Sequence, residues 1–240
     1  MDDLTKNKIQ MFGAWCGFGF LAFIFTGWVV AGFLPPQSPS SSAQAVGALF
    51  ASDYTQIRIG MVLVMFSALA FIPFGAVMTQ FIARVEGGPG VLTYTIALGG
   101  VGNMVLSFYP AMWWLAAAYR PDRNGELISL LNDVSWLQFI GGATMLWAMP
   151  LAVMVAALSD KSAEPVFPRW TGYAMAWIVL AMLPDQLLFF FHGGPFAWNG
   201  IFGLYIPATA FSAYFVINFV MLRRAILRDR ALLIVDPASV

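Results

Sequence analysis

Apolar residues along this chain fall into six long runs, at about 11–34, 59–83, 91–118, 134–158, 170–191 and 200–222, with short polar stretches between them. At about 1.5 Å per residue, each run is long enough as a helix to cross a hydrocarbon core of about 30 Å. The pattern predicts an all-α, polytopic transmembrane bundle of six spans forming one domain over residues 1–240. No connection is long enough to separate domains, and no internal repeat is visible.

The polar stretches carry their own signals. A short head, MDDLTKNKIQ, precedes the first span, and Pro35, Pro36 and Pro39 are expected to end it. A signal peptide is the competing reading of this run, with Ala43 and Ala45 as a small-residue cleavage site. The run is too long for an h-region and the site lies too far beyond it, so a retained helix is expected. Ser40 to Arg58 reads as a polar loop in which Ala43–Tyr54 lies as a short interfacial helix. An RVEGGPG turn follows the second span, and Tyr119-Arg120-Pro121 closes the third. In the 120–133 loop, Glu126, Leu127, Leu130 and Leu131 suggest a helical lead-in to the fourth span. SDKSAEPVFPR precedes the fifth, HGGPFAWNG is the hairpin before the sixth, and Arg223-Arg224 opens a basic tail.

Cation placement orients the bundle. With the N-terminus in the cytoplasm, the inner segments hold nine of the 12 Lys and Arg residues: Lys6, Lys8, Arg84, Lys161, Arg169, Arg223, Arg224, Arg228 and Arg230. The outer loops hold Arg58, Arg120 and Arg123. This positive-inside bias predicts both termini cytoplasmic. Trp28, Trp113, Trp114, Trp136 and Trp198 then fall near the outer interface, and Trp15 and Trp170 near the inner one.

Composition narrows the chemistry. Charged residues make up 10% of the chain, against about 25% in a soluble domain. A net charge of zero argues against a nucleic-acid partner. One cysteine, Cys16, excludes an internal disulfide or a multi-thiolate metal site, and one histidine excludes bis-histidine haem ligation within one chain. The 13 methionines are scattered and read as apolar filling, and ALGGVGN has no strand–turn–helix context for a nucleotide. Asn103, beside those glycines, reads as a helix-packing position.

The sharpest candidate chemistry lies in LPDQLLFFFHGGPFAWNG, where Asp185 follows Pro184 inside an apolar run. A carboxylate at a span's centre costs about 2.5–3.5 kcal/mol on insertion scales and usually faces the protein interior. Spans two to six each carry a proline: Pro73, Pro110, Pro150, Pro184 and Pro207. Pro110, Pro184 and Pro207 share a depth about 10 Å below the outer interface, so three kinks are expected to open a pocket there. The expected ligand-binding residues are Asp185, Gln186, Gln138, Tyr109, Tyr205, Trp198, Asn199, His192 and Asp133, with no catalytic, cofactor or metal site. Against this stand ordinary proline curvature, and Asp185 as a cap on a broken helix. His192 also reads as an outer-interface residue at a helix C-terminus, and Asn132 and Asp133 as N-caps of the fourth span.

RPDRNGELISLLNDVSWL and EPVFPRWTGY…FHGGPFAWNG resemble a group of uncharacterised bacterial six-span membrane proteins, over roughly Tyr109 to Pro207. The resemblance implies a multi-pass protein of the bacterial inner membrane and supplies no activity. Function therefore rests on the residues. The leading expectation is binding or transport of a small, mostly apolar molecule in an outward-facing pocket centred on Asp185. Partners are membrane lipids, with homo-oligomerisation left open. A structural or accessory subunit of a larger membrane complex is the alternative. A second alternative is an acid–base enzyme acting on a lipid or sterol-like substrate, pairing Asp185 with Asp133, Glu126 or His192.

Overall fold

The computed structural model of the protein describes residues 1–120 and 122–235. Pro121, read from the sequence as part of the close of the third span, lies outside the described residues. The chain is 81% helical, with no strand among the described residues, and six helical stretches are long and apolar enough to cross a membrane. It is an all-α, six-span, multi-pass membrane protein.

Helix α1 (Asp3–Val30) begins earlier than the apolar run predicts, because Asp2 caps it by accepting from the Thr5 N–H at 2.7 Å. It also stops before the prolines. Gly32 takes φ 71°, Gly32 N–H donates to Val29 O, and Phe33 N–H donates back to Trp28 O, so a left-handed glycine ends the helix. Helix α2 (Ala43–Glu86) takes in the expected interfacial segment, which starts at Ala43 and joins the second span through a kink at Asp53 (φ −113°, ψ 16°). Its Val46 and Phe50 are buried in the core. The first two spans cross closely at Gly27 and Gly60, where a Cβ on Gly27 would stand 2.5 Å from Gly60 O.

Helix α3 (Val91–Tyr119) is continuous through Pro110. The remaining three spans are not continuous. The fourth comprises α4 (Gly125–Trp136), a π turn (Leu137–Gly141), a 3-10 turn (Gly142–Met145) and α5 (Ala148–Ser159). The fifth comprises α6 (Arg169–Met182) and a 3-10 stretch (Leu183–Phe189). The sixth opens with a π turn (Ile201–Tyr205) and runs on as α7 (Ile206–Val235). The expected basic tail is thus the end of a helix. Asn7 of α1 donates to Ile226 O of α7 at 2.8 Å, so the two ends of the described chain lie together at one end of the bundle.

The irregular segments have identifiable causes. Pro150 has no N–H to offer Leu146 O, which instead accepts from Met149 N–H, an i−3 bond that tightens the helix. Pro207 likewise offers nothing to Gly203 O, and the preceding turn widens so that Ile206 N–H reaches Ile201 O. Pro184 sits in the first turn of its 3-10 stretch. The three breaks therefore accompany Pro150, Pro184 and Pro207, whereas the sequence pointed to Pro110 for the first of them. Pro110 is buried within a regular helix. The broken segments pack on one another in mid-bundle.

Candidate functional site

Asp185 lies where these broken segments meet. It is 0% exposed, and its Oδ1 accepts from Gln186 Nε2 at 2.7 Å. The same amide donates to Gly141 O at 3.0 Å, a carbonyl at the end of the π turn in the fourth span. Gln186 thus ties two broken spans together and fixes the carboxylate. Asp185 Oδ2 is buried without a partner.

Asp185 lines a cavity of about 60 Å³, set in a hollow of about 580 Å³ that includes the open space at its mouth. The wall draws on every span except the second: Phe20, Phe25 and Trp28 from α1, Asn103 and Ser107 from α3, Phe139 and Ala143, Met182, then Gly203, Pro207 and Phe211. It is apolar and strongly aromatic. Asp185 is its one ionisable residue among the described residues. Two further polar atoms on it are buried without partners, Trp28 Nε1 and Asn103 Nδ2. Ser107 Oγ donates to the backbone at Asn103 O and Met104 O, which leaves its lone pairs free.

A smaller cavity of about 20 Å³ adjoins the first and shares Asn103, Leu146, Met182 and Phe211 with it. Its wall carries Tyr214, whose hydroxyl is buried without a partner. One turn further along α7, Asn218 donates to Tyr214 O at 2.8 Å, and its Oδ1 is also unpartnered. A polar atom buried without a hydrogen bond costs about 1–3 kcal/mol, and a single water needs only about 10–15 Å³. Each cavity is large enough for at least one water, and both walls are almost wholly apolar.

Between the first cavity and the loops lies a cluster of rings. Trp28 and Phe139 on the cavity wall are 4.9 Å apart between centroids, and Trp28 lies 5.7 Å from Trp136. Trp136 meets Trp114 at 4.9 Å and stacks on Trp198 at 6.4 Å with an interplanar angle of 14°. Trp198 belongs to the hairpin, which is fastened by Trp198 Nε1 donating to Gln37 O at 2.8 Å and by Ser40 Oγ donating to His192 O. Four of the five tryptophans expected near the outer interface, Trp28, Trp114, Trp136 and Trp198, form this buried cluster. Of the five, Trp113 stays exposed, at 38%.

Of the nine expected binding residues, Asp185 is the one on the cavity wall. Gln186 acts behind it. Gln138 accepts from Trp113 Nε1 at 2.8 Å, away from the cavity. Tyr109 and Tyr205 are each 47% exposed and turn to the outside of the bundle, because the helical positions facing inward beside them are Leu106 and Leu204. Trp198 sits in the ring cluster, Asn199 is half-buried in the hairpin, and His192 is exposed. Asp133 is half-buried in α4 and lies within Coulombic reach of His192. The acid–base pair drawn from Asp185 with Asp133, Glu126 or His192 is not assembled on this wall.

Sequence reasoning missed Trp28, Ser107 and the inward role of Asn103. Asn103 does sit among closely packed glycines, with a Cβ at Gly99 reaching within 2.6 Å of Met149 Cγ, but its amide also faces both cavities. The usable signal was an amide and a hydroxyl one turn apart, Asn103 and Ser107, inside a wholly apolar span. Comparison with protein-family models, curated proteins and solved structures gives no match.

Proposed function

We propose that this protein binds a small, mostly apolar molecule, for storage or for passage through the membrane, by taking its polar head into the cavity at Asp185. One observation carries the reading: a fully buried carboxylate with a free oxygen on the wall of an aromatic cavity. A carboxylate placed there to cap a broken helix would accept from a backbone N–H, and among the described residues Asp185 accepts only from the Gln186 side chain. Size limits the occupant. An apolar cavity of about 150 Å³ admits benzene, so about 60 Å³ admits a head of a few heavy atoms, with the apolar body in the mouth. The positive-inside distribution supports both termini cytoplasmic and the hairpin outside, and the resemblance noted in the sequence implies the bacterial inner membrane as the setting.

The test compares wild type, Asp185→Asn and Asp185→Leu, purified in native lipid, by mass spectrometry of the retained small molecules. The expected result is a species held by wild type and lost from Asp185→Asn at unchanged melting temperature. If Asp185→Asn retains what wild type retains, and only Asp185→Leu is unstable, the carboxylate is a structural cap and the proposal fails.

A further inference from the structure

We infer that the head this cavity accepts is a primary ammonium group, so that the ligand is a lipophilic amine. The inference rests on the reading of the cavity as a ligand site and adds the ligand's chemistry. Charge comes first. Asp185 is fully enclosed, its Oδ1 is held by a neutral amide, and its Oδ2 has no partner. No Lys, Arg or His stands among the described residues of the wall. An uncompensated ion in a protein interior costs more than an unmade hydrogen bond, so the buried group either takes up a proton or meets a cation, and a cationic head is what lets Asp185 stay ionised.

The rest of the wall suits the same ion. Phe20, Phe25, Trp28, Phe139 and Phe211 line the same cavity as the acid. Ring faces attract a cation lying within about 6 Å of their centroids, and the attraction strengthens when the cation is desolvated. Asp185 Oδ2 is fully shielded, so a turn of the carboxylate is needed to present it to an ammonium N–H, and Ser107 Oγ, on the same wall, offers a second acceptor. Hydrogen bonding and size select among ammonium ions. At 10–15 Å³ per water-sized position, about 60 Å³ offers roughly four to six heavy-atom places. A primary ammonium with its first carbons fits them and keeps the N–H donors that a quaternary head lacks.

The wall also makes one opposing demand. Trp28 Nε1 and Asn103 Nδ2 are donors without acceptors. An ammonium cannot serve them, so these two donors gain nothing from it. A neutral ketone would serve both donors and leave the carboxylate unmatched. That contrast sets the experiment. Radiolabelled n-hexylamine is bound to the protein in nanodiscs, with empty discs subtracted for partitioning, and n-hexanol and methyl butyl ketone are added as competitors or bound directly. Saturable amine binding is expected, roughly tenfold or more tighter than either neutral probe, and weakened at least as much in Asp185→Asn. A ketone or alcohol that binds as tightly as the amine, or amine binding unchanged in Asp185→Asn, overturns the ammonium assignment and leaves the cavity reading standing. Absence of saturable binding by all three probes overturns both. The ranking of probes on wild type decides the matter even if the variant does not fold.

Discussion

Removing the Gln186 amide tests the construction of the site without any ligand. Gln186→Leu deletes the donor to Asp185 Oδ1 and the donor to Gly141 O, at 2.7 and 3.0 Å. It leaves a 0%-exposed carboxylate with neither oxygen bonded, and a freed carbonyl in the neighbouring span. Stripping a buried ionisable group of its partner, plus one orphaned carbonyl, costs about 3–5 kcal/mol. That is a large share of the roughly 5–15 kcal/mol that holds a typical fold. With Asp185→Leu already present, the same change removes only the carbonyl's partner and costs about 1 kcal/mol. The coupling between the two sites is therefore about 2–4 kcal/mol, read from a double-mutant cycle of detergent-driven unfolding followed by tryptophan fluorescence. Additivity within about 0.5 kcal/mol would show that Gln186 does not hold Asp185 and would refute the geometry on which the site rests.

Other expectations follow from the same structure. With Cys16 replaced, cysteines introduced at Ser41, Asn124 and Gly194 label from outside intact cells, and protection of all three reverses the orientation. Pro150→Ala restores an N–H that can reach Leu146 O, so the fourth span becomes more regular, gains about 1 kcal/mol in melting experiments and retains less ligand; a fall in stability contradicts the assigned cause. The Asp2 carboxyl is held below its ordinary value by the Thr5 backbone N–H, so its contribution to the start of α1 is present above the ordinary carboxylate range and is lost as pH falls through the lowered value. Amide protection factors in the first turn, which correct for the intrinsic slowing of exchange in acid, should fall over that acidic window in wild type, while Asp2→Ala should show low protection throughout with no such step.

The six spans were legible because long apolar runs have one structural solution in a bilayer, with all backbone groups bonded within each helix. The breaks inside them were harder to place. A proline's effect falls on the turn before it, so Pro150 disturbs residues up to 147, well away from its own depth. Pro110, by contrast, is absorbed in a continuous helix. The importance of Asp185 was readable because a charge in a span has few tolerable positions. Its neighbours were not, because shared depth does not fix azimuth. Tyr109 and Tyr205 lie near the expected level, yet the helix turns them outward and brings Leu106 and Leu204 to the cavity. Trp28 looked like an interface anchor because tryptophan is common there, and only packing against Trp136 and Phe139 reveals it as a wall.

The 3-10 stretch that carries Asp185 also sets the length of its span. The 14 residues of α6 rise about 21 Å, and the seven residues beyond it add about 14 Å in 3-10 form but only about 10 Å as α-helix. Winding this stretch into α-helix would shorten the span by roughly 3–4 Å and, at about 20° per residue, turn Asp185, its third residue, by roughly 60° away from its place on the wall. Bilayer thickness and carboxylate orientation are thus one mechanical variable. If the stretch follows the bilayer, head-group binding at Asp185 should climb with acyl-chain length in a graded series of lipids, and a flat series would show that Pro184 and the Gln186 bonds hold it fixed.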